Sequence, residues 1–232
     1  MRKDLQEIRK NGYVIFSIIF VPIILVFLSV FSTVPLAFSH SSFTLSILTT
    51  FSSMMVLIPA IITSLMGSTS VIMEKTNHNL EPLLATPVTD SELLAGKALA
   101  PLSLGMLMGW IAYGSYMGII DAITYPQLGY FIFPKMINLI QMFMLIPVIS
   151  TAGTFATLLI SSKVNDVRAA QQLSAVVVLP VMLIIFVPIA ASGSDLLFNI
   201  IIGVILLLVS FMLFITNIKV FRRENILIAW GK

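Results

Sequence analysis

The chain alternates between long uncharged apolar runs and short polar segments. About 20 apolar residues in a helix cross the hydrocarbon core of a bilayer, which is roughly 30 Å thick. Six such runs occur, at approximately 13–36, 45–71, 98–120, 136–160, 173–191 and 196–218. A helix satisfies every backbone donor and acceptor within its own segment, as a bilayer requires. The pattern therefore predicts an all-α membrane protein, with six transmembrane helices in a single domain, 1–232.

Composition supports this class and narrows the function. Hydrophobic residues make up 58% of the chain and charged residues 10%, and the mean hydropathy is +1.06, which is far too apolar for a soluble domain of this length. There is no cysteine, so disulfides and iron–sulfur ligation are excluded. The basic residues lie at the ends of predicted spans, which favours phospholipid headgroups over nucleic acid as their partner.

The basic residues also indicate the orientation. With six spans, both termini share one side of the membrane with the loops after the second and fourth spans. That side holds twelve of the 13 lysines and arginines, and only Lys135 lies on the other. The positive-inside rule therefore predicts that both termini are cytoplasmic. Within the N-terminal segment 1–12, Leu5 and Ile8 share a helical face among basic residues, which predicts an interfacial helix; a frayed charged tail is the alternative.

Small residues mark several predicted spans. In the third span, Gly105 and Gly109 form one GxxxG pair, and Gly114 and Gly118 form another that faces the opposite way. This predicts close helix packing on two sides of that span. Small and hydroxylated residues also recur in the second span and in the inner half of the fourth. Helix packing and a mildly polar transport path are both compatible with that pattern.

One charged segment, 74–97, interrupts the apolar sequence in its first half. Pro82 suits the first turn of a helix and Pro87 ends one, so a short cytoplasmic helix is predicted over 81–86, between the second and third spans. This helix would present Leu83 and Leu84. Because this helix is joined to a span at each of its ends, a displacement of the helix would be transmitted to both spans. An ordinary solvated connection is the alternative.

Two further helix starts are predicted on the cytoplasmic side. Thr89 and Glu92 have capping-box spacing ahead of an apolar run, so a helix should begin there and continue into the third span. After the fourth span, Asn165 or Asp166 can cap a helix that continues through Arg168 into the fifth span.

The sequence lacks the motifs of several functional classes. No P-loop occurs, so the chain cannot cradle ATP in that way. No acidic or basic residue lies deep within a predicted span, which disfavours a self-sufficient secondary transporter, although broken helices could still bind sodium through carbonyl oxygens. Glu74, His78 and Glu81 have helical spacing, but the intervening asparagines and Pro82 favour a solvated loop over a metal site. His40 lies in a short serine-rich loop without an orienting acid, so it does not form a hydrolytic dyad.

The cytoplasmic loops together carry a family resemblance. The first loop contains Glu74, Lys75, Leu80, Glu81, Pro82, Leu83, Leu84, Pro87, Gly96 and Lys97. The second contains Asp166, Arg168, Gln171 and Gln172, followed by Pro180. In this order they resemble the inner-loop signature of membrane subunits of the second export type of ATP-binding-cassette transporter, the ABC-2 permeases. The six predicted spans and the charged, amphipathic N-terminal segment 1–12 also agree with this family, so the resemblance covers essentially the whole chain.

The resemblance implies a non-catalytic permease in the plasma membrane. The loop at 74–97 would contain the coupling helix that docks a cytoplasmic ATPase, and ATP and Mg²⁺ would be bound by that partner and not by this chain. A second copy or a sister permease would complete the translocation path, with export as the usual direction. An ATP-independent channel or secondary carrier is the alternative, ahead of an intramembrane enzyme or a scaffold subunit. No metal site is expected.

Overall fold

A computed structural model describes residues 12–37, 48, 50–76, 90–164, 166, 168–176, 178, 179, 182 and 196–220. These residues are almost entirely helical, and none of them forms a strand. The helices are α1 (Gly12–Ala37), α2 (Leu57–Thr76), α3 (Asp90–Leu128), α4 (Met136–Ile140), a π-helix (Gln141–Leu145), α5 (Ile146–Lys163) and α6 (Leu196–Val220). Residues 50–54 and 168–176 are helical as well. The all-α class predicted from the sequence is confirmed for this part of the chain.

Five helical segments are long and apolar enough to cross a membrane. They are Val14–Pro35, Thr50–Ser68, Leu94–Pro126, Met136–Lys163 and Leu196–Val220. They correspond to five of the six predicted spans. Of the remaining predicted span, 173–191, residues 173–176 are helical and most of the rest lies outside the described residues. The predicted interfacial helix (but for Gly12) and the predicted coupling helix at 81–86 also lie outside them.

The helices define two ends of the bundle. The Lys135 end is where α3 ends and α4 begins, and the Lys97 end is where α2 ends and α3 begins. α3 begins at Asp90, the position of the predicted capping box, and its 39 residues span about 58 Å. Because this exceeds the roughly 30 Å of a hydrocarbon core, α3 must tilt or project from the bilayer. Within the predicted loop 74–97, residues 74–76 thus belong to the end of α2 and residues 90–97 to the start of α3.

A compact turn closes the Lys135 end of α3. Gly129 has a φ of 74° and its N–H donates to the carbonyl of Tyr125 at 2.9 Å, which is the left-handed arrangement that commonly ends a helix. The carboxylate of Asp121 then accepts hydrogen bonds from the backbone N–H groups of Ile132 at 2.9 Å and Phe133 at 3.1 Å. The connection to α4 is therefore fixed against the helix that precedes it.

The second span lies at the centre of the bundle. In its apolar window 72% of the residues are buried, against 33% in α1 and 22% in α6. The two peripheral helices expose large apolar side chains, among them Phe31 on α1 and Leu197 on α6. Such surfaces would be unfavourable in water, but they cost nothing in hydrocarbon. The distribution of burial is thus that of a membrane bundle with a lipid-facing exterior.

α2 and α5 are in the closest contact. A Cβ atom added at Gly67 would overlap Thr157, and one added at Gly153 would overlap Thr63. The Thr63 hydroxyl donates to the Pro59 carbonyl of its own helix at 2.8 Å, and the Thr157 hydroxyl donates to the Gly153 carbonyl at 2.8 Å. Thr63 and Thr157 therefore lie at the closely packed interface between these two spans.

The two GxxxG pairs of α3 have different surroundings. A Cβ added at Gly105 would approach Thr63 to 2.6 Å, and one added at Gly109 would approach Ile146 to 3.0 Å. This face of α3 is therefore packed closely against α2 and α5. At Gly114 and Gly118 an added Cβ would meet none of the described atoms within 4 Å. Close packing is thus present on only one of the two predicted sides, as far as the described residues extend.

Candidate functional site

The second span is broken near its Lys135 end. Met55 and Val56 form a turn, and their N–H groups donate to the carbonyls of Ser52 and Ser53, both at 3.1 Å. Pro59 explains the break, because it has no N–H to offer the Met55 carbonyl and its ring would clash with that group in a regular helix. The Met55 carbonyl instead accepts the N–H of Ile58 at 3.2 Å. The predicted span over 45–71 is therefore interrupted by a turn at this point.

The fourth span contains a second irregularity at the same end. Between Gln141 and Leu145 the backbone is a π-helix, in which the N–H of Ile146 donates to the carbonyl of Gln141. Continued one residue further, this pattern would pair the Met142 carbonyl with residue 147, which is a proline without an N–H. The indole N–H of Trp110 on α3 donates to that carbonyl at 2.9 Å. Trp110 therefore supplies the donor that Pro147 lacks, as a buried carbonyl requires.

Six uncharged polar side chains connect the two irregular segments. They come from 50–54, α3, the start of the fourth span and α6, and each is at most 7% exposed. We call them the polar cluster: Ser52, Ser53, Tyr113, Asn138, Gln141 and Asn199. π-Helical segments and discontinuous membrane helices both occur frequently at functional sites, so this cluster is the main candidate site among the described residues.

The Gln141 side chain makes three hydrogen bonds to other members of the polar cluster. Its side-chain Nε2 donates to Ser53 Oγ at 2.8 Å and to Asn199 Oδ1 at 3.0 Å. Its Oε1 accepts the hydroxyl proton of Tyr113 at 2.7 Å. Gln141 alone therefore joins the fourth span to three other segments.

Asn138 makes the second set of bonds. Its Nδ2 donates to Ser52 Oγ and to the Tyr113 hydroxyl oxygen, both at 3.0 Å, and its Oδ1 accepts the backbone N–H of Lys135 at 3.2 Å. Both amides of the fourth span are thus fully used by neighbours. In hydrocarbon an unpaired amide is costly, so the polar cluster holds these four segments in one register.

The chemistry open to the polar cluster is hydrogen bonding alone. It contains no acid, base or histidine, so no member of the cluster could activate Ser52 or Ser53 as a nucleophile. Within the described part of the chain, no group of three or more His, Cys, Asp or Glu side chains could hold a metal ion. The cluster can join helices, or it can exchange its bonds with water or with another uncharged polar group.

Replacing Trp110 by phenylalanine is expected to lower the free energy of unfolding by about 1–3 kcal/mol, because the partly buried Met142 carbonyl would lose its donor. The measurement is unfolding of the purified protein in mixed micelles with increasing dodecyl sulfate. Tyr125→Phe is the matched control, since it removes a donor from an exposed aromatic side chain of the same helix. Equal stability of Trp110→Phe and the parent chain would contradict this role of the indole.

Four of the predicted docking residues are described, and they lie at the opposite end of the bundle. The backbone of Glu74 and Lys75 belongs to the last turns of α2, and that of Gly96 and Lys97 to the first turns of α3. The Lys97 side chain is buried. The predicted contact residues between them lie outside the described part of the chain: Leu80, Glu81, Pro82, Leu83, Leu84 and Pro87.

The second predicted loop is described in part. The carboxylate of Asp166 accepts the N–H of Arg168 at 3.3 Å and of Ala169 at 3.4 Å, so Asp166 has the position of a helix cap. Arg168 and Gln172 are exposed, and Gln171 is half-buried. These side chains are therefore accessible at the Lys97 end, beside the end of α5.

Apart from Ser53, one of the hydroxylated residues of the second span, the members of the polar cluster were not among the residues that the sequence pattern singled out. The available signal was three uncharged amides within predicted spans, Asn138, Gln141 and Asn199, together with Pro59 and Pro147. In comparisons with known proteins, the chain matches no protein-family model and no curated protein.

Proposed function

We propose that the chain is the non-catalytic membrane subunit of an ATP-driven exporter of the ABC-2 type. Its cytoplasmic face would be the Lys97 end, where 74–97 would dock a separate ATPase. The observation that carries the proposal is the position of that signature in the chain, directly between α2 and α3, which belong to the most buried span and the longest helix among the described residues. The unequal distribution of lysine and arginine supports a plasma-membrane protein with cytoplasmic termini.

The packing of α2 and α3 suits a coupling role for the segment between them. Gly105 and Gly109 of α3 lie against Pro59 of α2, so the two helices are in contact within the bundle as well as being connected through 77–89. At the Lys97 end, Leu94 and Ala98 of α3 pack on Leu158 of α5. A displacement of 77–89 would therefore act on the central helix and, through α3, on α5.

The energy for transport would come from the partner. The chain has no P-loop, so ATP and Mg²⁺ would bind to the docked ATPase. A second copy of the chain or a sister permease would complete the path through the membrane. The cargo is left open by these observations.

A pull-down from native membranes tests the proposal. The full-length chain, tagged and purified in a mild detergent, is expected to carry a P-loop ATPase in a fixed ratio, and the complex is expected to hydrolyse ATP. The opposite result would be a chain that purifies without any ATPase and, reconstituted alone in liposomes, still catalyses solute flux. That outcome would favour an ATP-independent carrier, the alternative suggested by the broken helices around the polar cluster.

A further inference from the structure

We propose that the polar cluster is a latch that holds the bundle closed at its Lys135 end. The turn at 55–56 and the π-helix at 141–145 would be the two hinges, about which the Lys135 ends of the second and fourth spans swing apart. The proposal concerns this chain by itself and does not depend on a docked ATPase.

The direction of the hydrogen bonds supports a latch. Bonds that stabilise a single helix run within that helix, whereas those of Gln141 run to 50–54, to α3 and to α6. Asn138 adds a second bond to 50–54 through Ser52. One short stretch of the fourth span thus keeps three neighbours in place, and its rearrangement would release all of them together.

The two ends of the bundle are packed differently, and this difference indicates at which end the spans would separate. On the Lys97 side of both irregular segments, α2 and α5 interlock so closely that Gly67 and Gly153 have no room for a methyl group. Packed surfaces of this kind do not slide by small steps. On the Lys135 side, the same two spans are joined by hydrogen bonds of amides and hydroxyls in addition to apolar packing, and such bonds can exchange one partner for another at a small net cost. Separation is therefore easier at the Lys135 end.

The irregular backbone makes the hinges possible. A helix bends sharply where a proline or a π-bulge interrupts its backbone bonds, and here each span has such a point beside the cluster. The carbonyl left over at Met142 is held by a side chain, Trp110, and not by the helix itself. Bending at this point therefore does not require the regular bonds of α5 to break.

The test is accessibility of a single engineered cysteine in the purified full-length chain. The chain has no native cysteine, so Leu48→Cys gives a unique reporter at the Lys135 end that leaves all six cluster side chains unchanged. Leu48 is 1% exposed, and in nanodiscs it should react slowly with a charged, water-soluble maleimide. Adding Gln141→Leu, which removes three bonds of the cluster, is expected to raise the labelling rate about tenfold, the effect of losing one to two interhelical hydrogen bonds.

A second variant and a second reporter make the test decisive. Tyr113→Phe removes only the hydroxyl and is expected to give a smaller increase, so it also decides the question if Gln141→Leu does not fold. Ile62→Cys is the matched reporter, since Ile62 is fully buried in α2 on the Lys97 side of the break, and its rate should stay unchanged in every background. Unchanged labelling of Leu48→Cys in both variants, or equal acceleration of the two reporters, would overturn the latch. Because no ATPase is present, a failed docking proposal would not alter these rates.

Discussion

Replacing Leu83 and Leu84 together by aspartate is expected to abolish co-purification of the ATPase, while the chain still inserts into the membrane. If these leucines form an apolar contact with the partner, two carboxylates would have to be desolvated there without counter-charges, at a cost of several kcal/mol. A loss of about 4 kcal/mol corresponds to roughly a thousandfold weaker binding. The measurement is the molar ratio of ATPase to chain after purification from equal amounts of membrane.

The double variant Thr89→Asp with Ser91→Asp is the matched control. It adds the same two charges to the same connection, but at the cap and the first turn of α3, where aspartate is favoured. The ATPase should remain bound to this variant. Retention of the ATPase by the Leu83→Asp, Leu84→Asp chain would remove the coupling assignment. Loss of the ATPase from the control variant as well would show that added charge anywhere in the connection prevents co-purification.

Replacing Gly67 by alanine is expected to destabilise the bundle by about 1–3 kcal/mol, the usual cost of overpacking a closely packed interior. The new Cβ would overlap the Thr157 hydroxyl and lie 2.8 Å from the Thr157 Cβ. Rotation of the threonine can move its hydroxyl but not its Cβ, so α2 and α5 would have to separate. Unfolding with increasing dodecyl sulfate in mixed micelles measures the loss.

A compensating change identifies the cause. Combining Gly67→Ala with Thr157→Gly moves the side chain from one helix to the other and leaves the number of helical glycines unchanged, so it should recover most of the lost stability. Gly118→Ala is the neutral control, because an added Cβ there meets none of the described atoms within 4 Å. If Gly67→Ala proved as stable as Gly118→Ala, the close contact between α2 and α5 would be contradicted.

The hydrophobic pattern was sufficient for five of the six predicted spans, because the length of an apolar run depends little on its exact sequence. α1, Gly12–Ala37, begins and ends within one residue of the predicted run. The pattern could not show the break at 55–56. Proline is tolerated in membrane helices when neighbouring groups satisfy the freed carbonyl, and the effect of Pro59 therefore depended on contacts that the sequence does not display.

The polar cluster was harder to predict for a different reason. Its members lie on four separate segments, and their meeting depends on the rotation of each helix about its own axis. A soluble helix reveals that rotation through one apolar face, but a span such as α6 is apolar on nearly every side. Gln141 and Asn199 were visible as polar residues in hydrocarbon, yet a search for ionisable groups passes over them. The docking role of 80–87 stays a prediction, since those residues lie outside the described part of the chain.

The uncharged character of the polar cluster has an electrical consequence. A transmembrane voltage does work on a conformational change only when charge moves through the field. Opening at Gln141 would rearrange amides and hydroxyls without carrying a charged side chain across the membrane. The opening of the latch would therefore not depend on the membrane potential.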